Sequence, residues 1–230
     1  MSNNDIKNDD LQDNEKDDQD INQYDLNFKI IIVGDSGVGK SCLAIKAIKN
    51  LYEEYYSPTI GFEFLTYNTN VEKKNVKLQI WDTCGQEAYR SLIKSFYRNS
   101  SLAILVYSIE KEDSFDNLDK WLNDIKNESS PDIKIVLIGN KLDLESERKI
   151  TKEKGEKFSK EHKLSFFMET SAKTGFNAKK VFDESGKILF EEYKKLKDKN
   201  KDSSLISLSS NNTDTIEQDT ENEKRSHCFC

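Results

Sequence analysis

The stretch "FKIIIVGDSGVGKS" (28–41) limits the possible folds more than any other part of the chain. Its first six residues are nearly all apolar, as in a strand buried on both faces of a sheet. The next eight fit G-x-x-x-x-G-K-[ST]. Beyond Lys40, residues Leu43, Ala44, Ala47, Ile48 and Leu51 fall on one face of a helix. A glycine loop between strand and helix can cradle a phosphate chain. Gly34, Gly37 and Gly39 let the backbone curl so that several N–H groups converge, and the helix start adds its positive dipole end. The expected phosphate contacts are Gly34, Ser36, Gly37, Val38, Gly39, Lys40, Ser41 and Cys42. Lys40 would reach the β- and γ-phosphates, and the Ser41 hydroxyl would be a hard oxygen ligand for Mg²⁺. The plainer alternative is a glycine-rich turn with a stray lysine, which the strand–loop–helix context disfavours. The motif specifies a nucleoside triphosphate and leaves the base open.

The rest of the middle of the chain alternates strand and helix patterns. "FEFLTYNTNV" and "VKLQIW", separated by "EKKN", predict a hairpin. "SLAILVYS" (101–108) and "IKIVLIGN" (133–140) are further apolar strands, with a helix around Trp121 between them. A polar helix is expected over 151–162, then the strand "LSFFMETS". A last helix places Ala178, Val181, Phe182, Ser185, Leu189 and Leu196 at helical spacing. This order predicts a parallel sheet with helices on both faces, with ligands at the carboxyl ends of the strands.

The unusual residues do follow strands. "NKLD" (140–143) puts a carboxylate, Asp143, where it could accept from the ring N–H and exocyclic amine of guanine; adenine lacks that donor pair. Asn140 could bridge to the purine edge or to the phosphate loop, and the Lys141 stem could lie along the ring. In "ETSAK" (169–173), the Ala172 N–H could meet the guanine oxygen, with Ser171 and Lys173 beside it. NKLD alone could be a solvated turn. Both motifs downstream of a phosphate loop favour guanine. Tyr52 is either a cover for the base or a core aromatic.

"WDTCGQE" (81–87) ends the second hairpin strand. Asp82 is placed to hold Mg²⁺ through water, Gly85 to offer its N–H to the γ-phosphate, and Gln86 to orient an attacking water. Thr59, in "SPTIGFEF", could bind Mg²⁺ and γ-phosphate together. Two loops held only while the third phosphate is present would form an order–disorder switch.

With these five stretches on view, the chain resembles Ras-superfamily small GTPases. "IGFEF", "KLQIW", "AYRSL", "FYRNS", "LAILVYSIEKEDSF" and the CxC ending are similar to segments that mark Rab proteins. The resemblance spans about 28–196 plus the last three residues. It implies an α/β Ras-like G domain, a P-loop fold with a mostly parallel six-stranded sheet, helices on both faces and one antiparallel edge strand. It further implies a monomeric GTP/GDP switch with Mg²⁺ on membrane-trafficking routes. The expected partners are an exchange factor, a GTPase-activating protein, a dissociation inhibitor or escort protein, and effectors; no nucleic acid is expected. By the same match Phe64, Trp81 and Phe96 fall where Rabs carry an aromatic triad read by effectors, with core packing as the alternative. Cys84 replaces the usual alanine of "DTAGQ", which puts a thiol beside the switch. No Arg or Lys occurs from 51 to 65. Without a cis arginine, hydrolysis is expected at roughly 10⁻⁴ s⁻¹, rising about 10⁵-fold with a partner's arginine.

Charge divides the chain. Residues 1–27 hold nine acids against two lysines, and 198–230 hold seven acids against four bases. Both ends are poor in large apolar residues and are expected to be disordered, leaving 28–197 as the GTPase domain. The four cysteines suit a reducing compartment, and the chain opens without a basic, apolar leader. The final "HCFC" could be a metal clip, a disulfide half, a remnant or an attachment point. Too few ligands stand nearby for a metal, and a C-a-a-X signal needs cysteine where His227 stands. By the Rab resemblance, Cys228 and Cys230 would carry two geranylgeranyl groups. The expected location is then the cytoplasmic face of intracellular membranes, in exchange with the cytosol. Rival readings are a P-loop ATPase or small-molecule kinase, a nucleotide-binding interaction module with negligible hydrolysis, and a Ras-like signalling protein outside trafficking.

Overall fold

The computed structural model describes residues 24–53, 59, 61–85 and 90–209. Six strands form one sheet: β1 Leu26–Val33, β2 Phe62–Val71, β3 Lys74–Thr83, β4 Leu102–Ser108, β5 Lys134–Asn140 and β6 Phe166–Glu169. Their spatial order is β2-β3-β1-β4-β5-β6, with only the β2–β3 pairing antiparallel. The helices are α1 Lys40–Lys49, α2 Arg90–Tyr97, α3 Glu112–Asp116, α4 Leu118–Glu128, α5 Lys152–Glu161 and α6 Ala178–Ser209. This is the expected Ras-like α/β architecture.

The continuous apolar runs are explained by two cores, one on each face of the sheet. Along β1, Ile30 and Ile32 pack with Leu43, Ala44 and Phe182 from α1 and α6. Ile31 and Val33 point the other way, toward Tyr97, Trp121 and Phe158 from α2, α4 and α5. Period-two alternation with both faces covered leaves no polar face on the strand.

Several expectations shift. The hairpin turn is only Glu72–Lys73, both at positive φ, because Val71 already pairs with Lys74. Two left-handed residues are the tight turn whose twist matches the strands. Helix α1 stops at Asn50, whose left-handed φ of 55° lets its N–H bond the Lys46 carbonyl. Leu51 therefore lies beyond the helix, exposed. Helix α2 and a 3-10 helix, Leu142–Glu147, carry no clear sequence signal. The folded domain starts before residue 28. Asp25 accepts from Lys74 Nζ at 2.7 Å and from Asn75 N–H at 2.8 Å, which ties the entry of β1 to the hairpin.

The chain separates into two units, divided between Phe190 and Glu191. In the second, α6 runs on to Ser209, past the boundary expected at 198. No glycine or proline follows Gly186 to break it, and Glu191–Lys194 and Glu192–Lys195 pair along one face. No helix among the described residues is long and apolar enough to cross a membrane.

Candidate functional site

A cavity of about 430 Å³ opens at the carboxyl ends of β1, β3, β5 and β6. The loop after β1 enters it as a tight turn, with Gly34, Gly37 and Gly39 all at positive φ. A β-carbon at Gly39 would lie 2.4 Å from Asn140 Nδ2, so the approach of that side chain as well as the dihedral requires glycine there. Lys40 folds back so that its Nζ donates to the carbonyls of Gly34 and Asp35, both at 2.8 Å. Burial lowers its pKa to about 8, opposed by the nearby Asp82 and Asp35 carboxylates.

Asp35 holds the loop from the other side. Its carboxylate accepts from Trp121 Nε1 and from Asn117 Nδ2, both at 2.8 Å. The hydrophobic pattern marked Trp121 as a helix residue; its indole N–H makes α4 an anchor for the phosphate loop as well. The short pitch from α3 to α4 leaves Asn117 at their junction, where its amide can reach the same carboxylate.

Ser41, Thr59 and Asp82 converge. The Ser41 hydroxyl donates to Asp82 Oδ2 and lies 2.8 Å from Thr59 Oγ1. Asp82 is fully buried, and its other oxygen, Oδ1, has no hydrogen-bond partner among the described residues. Burial pushes its pKa up to about 6, against the lowering effects of Ser41 and Lys40. A buried carboxylate with an orphaned oxygen, flanked by two hydroxyls, is a hard-oxygen set that fits a divalent cation such as Mg²⁺. The Gly85 backbone packs directly on the phosphate loop: a β-carbon there would lie 2.3 Å from the Asp35 carbonyl carbon and 2.4 Å from Ser36 N. Gln86 lies outside the described residues.

On the opposite wall, Asn140 is the tie. Its Nδ2 donates to the Val38 carbonyl at 2.8 Å, and its Oδ1 accepts from Thr170 Oγ1 at 3.0 Å and Ala172 N–H at 3.3 Å. Of the two uses open to Asn140, the structure shows the bridge to the phosphate loop. The Ala172 N–H, expected to face the base, donates to Asn140 Oδ1 here. Ser171 Oγ donates to Asp143 Oδ1 at 2.5 Å and accepts from Thr174 N–H, so it orients the carboxylate. Lys141 sits in the left-handed region, its Nζ 2.7 Å from Glu110. Burial raises the Glu110 pKa, but bonds from Lys141 and Ser108 outweigh this and hold it below the usual range. Glu110 was not evident as a site residue, being 31 positions from its partner in a loop of ordinary composition.

Asp143, Lys141, Lys173, Cys42 and Tyr52 all line the cavity. Tyr52 is 38 % exposed there, which removes the core-aromatic alternative. Cys84 is buried at the edge of the second core, close enough to Lys40 of the phosphate loop to act on its charge. Its side chain belongs to the same core cluster as Tyr97 and Phe115, while its N–H bonds the Gly61 carbonyl.

Away from the cavity, Phe64, Trp81 and Phe96 form one cluster. Trp81 lies 5.3 Å from Phe64 and 5.1 Å from Phe96, centroid to centroid. Phe62 joins at 4.4 Å from Phe96 and 5.2 Å from Trp81. Phe62 and Phe64 are 43 % and 46 % exposed, whereas Trp81 and Phe96 are partly buried and pack against the second core, so the cluster joins surface and core. Cys228 and Cys230 lie outside the described residues. A family model described as the Ras family matches residues 29–191.

Proposed function

The chain belongs to the Ras family, with the G domain of a small GTPase, and on that premise we propose a Rab-like GTP/GDP switch in vesicle trafficking. It binds GTP with Mg²⁺, hydrolyses it slowly, and recruits effectors while anchored to membranes through geranylgeranylated Cys228 and Cys230. The observation that carries the nucleotide assignment is Asn140, whose one carboxamide joins the phosphate loop to the loops bearing Asp143 and Ala172. Phosphate recognition and base recognition are thereby held in one rigid frame. The partly exposed aromatic cluster and the CxC ending support the trafficking assignment.

In this reading, Lys40 and the loop N–H groups hold the phosphates, and Asp143, oriented by Ser171, accepts from the guanine edge. The Lys141 stem, fixed at its end by Glu110, lies against the ring, and Tyr52 covers the base. Bound between Ser41, Thr59 and Asp82, Mg²⁺ would neutralise charge on the phosphate oxygens. Gly85 presents its N–H beside the phosphate loop, and Gln86, next in sequence, orients the attacking water.

One pair of measurements on the full chain tests the proposal. GTP should displace a labelled guanine nucleotide where equal ATP does not. In cells, Cys228→Ser or Cys230→Ser should each release much of the protein to the cytosol, because a single lipid chain holds a membrane only marginally. ATP competing on equal terms would overturn the base assignment, and two fully membrane-bound single mutants would overturn the two-anchor assignment.

A further inference from the structure

Among the described residues β6 pairs with β5 alone, so its outer edge has no strand partner there, although Asn177 reaches the Glu169 carbonyl. Beside it runs a groove of about 640 Å³ with both apolar and cationic lining. Phe166 and Met168 from β6 and Phe176, 54 % exposed, form the apolar part. Helix α5 contributes Lys160 and α6 contributes Lys180. The ammonium groups of both are exposed and have no partner among the described residues. The acids in the same groove are already answered: Glu169 accepts from Arg148 at 2.6 Å, and Glu156 lies 3.9 Å from Lys152.

We infer that this groove is the docking site for the chain's own acidic segment, residues 1–23. Charge selects it. The segment holds eight acids against two lysines, whereas 210–230 holds five acids against two bases. Ile6, Leu11 and Ile21 are spaced among the acids and supply apolar side chains for Phe166, Met168 and Phe176. Reach is ample. Twenty-three extended residues span up to roughly 75 Å, whereas the three strand spacings from β1 to β6 come to about 15 Å. Tethering supplies an effective concentration on the order of millimolar, so modest contacts suffice.

The groove also touches the base-binding loops. Leu142, next to Asp143, lines it and donates its N–H to the Thr170 carbonyl at 2.9 Å. Asn177 lines it and donates to the Glu169 carbonyl at 2.9 Å. On the guanine reading above, an occupied groove braces these loops and slows nucleotide release.

Zero-length carbodiimide cross-linking of the full chain, mapped by mass spectrometry, tests the docking without any nucleotide assumption. Carboxylates of 1–23 should join Lys160 and Lys180 within one chain. The links should vanish at about 1 M salt, where the screening length falls to roughly 3 Å, and in a variant with Asp9→Asn, Asp10→Asn and Asp13→Asn. They should also weaken in Phe176→Ser, whose exposed side chain can be lost without opening the core. Links scattered over lysines of other faces, such as Lys120 and Lys126, would overturn the inference, as would Lys160 and Lys180 linked instead to acids of 214–223. The triple Asn variant should release fluorescent GDP faster than the parent chain. Unchanged release would overturn the coupling to the base-binding loops.

Discussion

Asn140 reaches across 102 positions of sequence to place its amide 2.8 Å from the carbonyl of Val38. The same side chain accepts from Thr170 and Ala172, and it is 1 % exposed. Three loops that share no local sequence thus depend on four heavy atoms of one residue. Asn140→Ala leaves a carbonyl, a hydroxyl and an N–H unpaired. At about 1–3 kcal/mol for each buried group, a loss near 3 kcal/mol is expected, or roughly 6–12 °C in Tm for a domain of this size. Thermal unfolding checks this; a shift below about 2 °C would show that the tie contributes little.

Asp143 is set against the cavity by a 2.5 Å bond from Ser171. On the guanine reading proposed above, Asp143→Asn replaces one acceptor of the base edge with a donor. Guanine then faces a repulsive contact, whereas xanthine, with a carbonyl in place of the amine, gains a partner. Two charge-assisted bonds at about 1.5–3 kcal/mol each imply a fall of roughly 10²-fold or more in GTP affinity. Xanthosine triphosphate should bind the variant better than it binds the parent chain. Competition titrations with both nucleotides measure the exchange, and an unaltered preference for GTP would place the base elsewhere.

Gly85 has no room for a side chain, with Asp35 and Ser36 backbone atoms within 2.5 Å of where a β-carbon would stand. Gly85→Ala must push the loop after β3 away from the phosphate loop. Overpacking of this kind costs about 1–3 kcal/mol. The expected result is roughly tenfold weaker binding of a non-hydrolysable GTP analogue, with an unchanged far-ultraviolet circular dichroism spectrum. Equal affinity would mean that the loops separate freely.

A single oxygen of Asp183 accepts from Tyr67 OH and Thr69 Oγ1, both at 2.9 Å, and clamps α6 to β2. Burial raises the pKa of Tyr67, and the bond and charge of Asp183 raise it further. The folded state therefore holds the phenol proton more tightly than the unfolded chain. The stabilisation is fully present below the ordinary tyrosine value near pH 10 and declines as pH rises above it. Tyr67→Phe should lose stability at pH 7 yet show a shallower decline between about pH 10 and 11. Denaturant titrations across that range give the two slopes, and parallel slopes would rule the clamp out.

Much was legible from local pattern. "GDSGVGKS" after an apolar strand marked the glycine turn that lines the cavity, because glycine spacing and a strand–helix junction are short-range features. "NKLD" and "ETSAK" were found for the same reason, each directly after a strand. What stayed hidden was the support. Asp35 is a loop residue until Trp121 and Asn117 donate to it, and Glu110 is one acid among many until Lys141 turns to meet it. Leu51 was placed on the α1 face because the apolar spacing continues through it. The helix ends two residues earlier, at Lys49, because Asn50 adopts a left-handed conformation that hydrophobic periodicity does not register.

Residue order alone thus supplied the candidate chemistry: a glycine loop able to cradle phosphate, a carboxylate placed to accept from guanine, hard oxygens for a cation, and an acidic segment beside a nearly neutral domain. Folding decided which of these act together. Val38 and Asn140, and Asp35 and Trp121, are each far apart in sequence. Periodicity and spacing report only contacts within a few residues, and the positions that meet across a sheet depend on strand order and register, which exist only once the chain is folded.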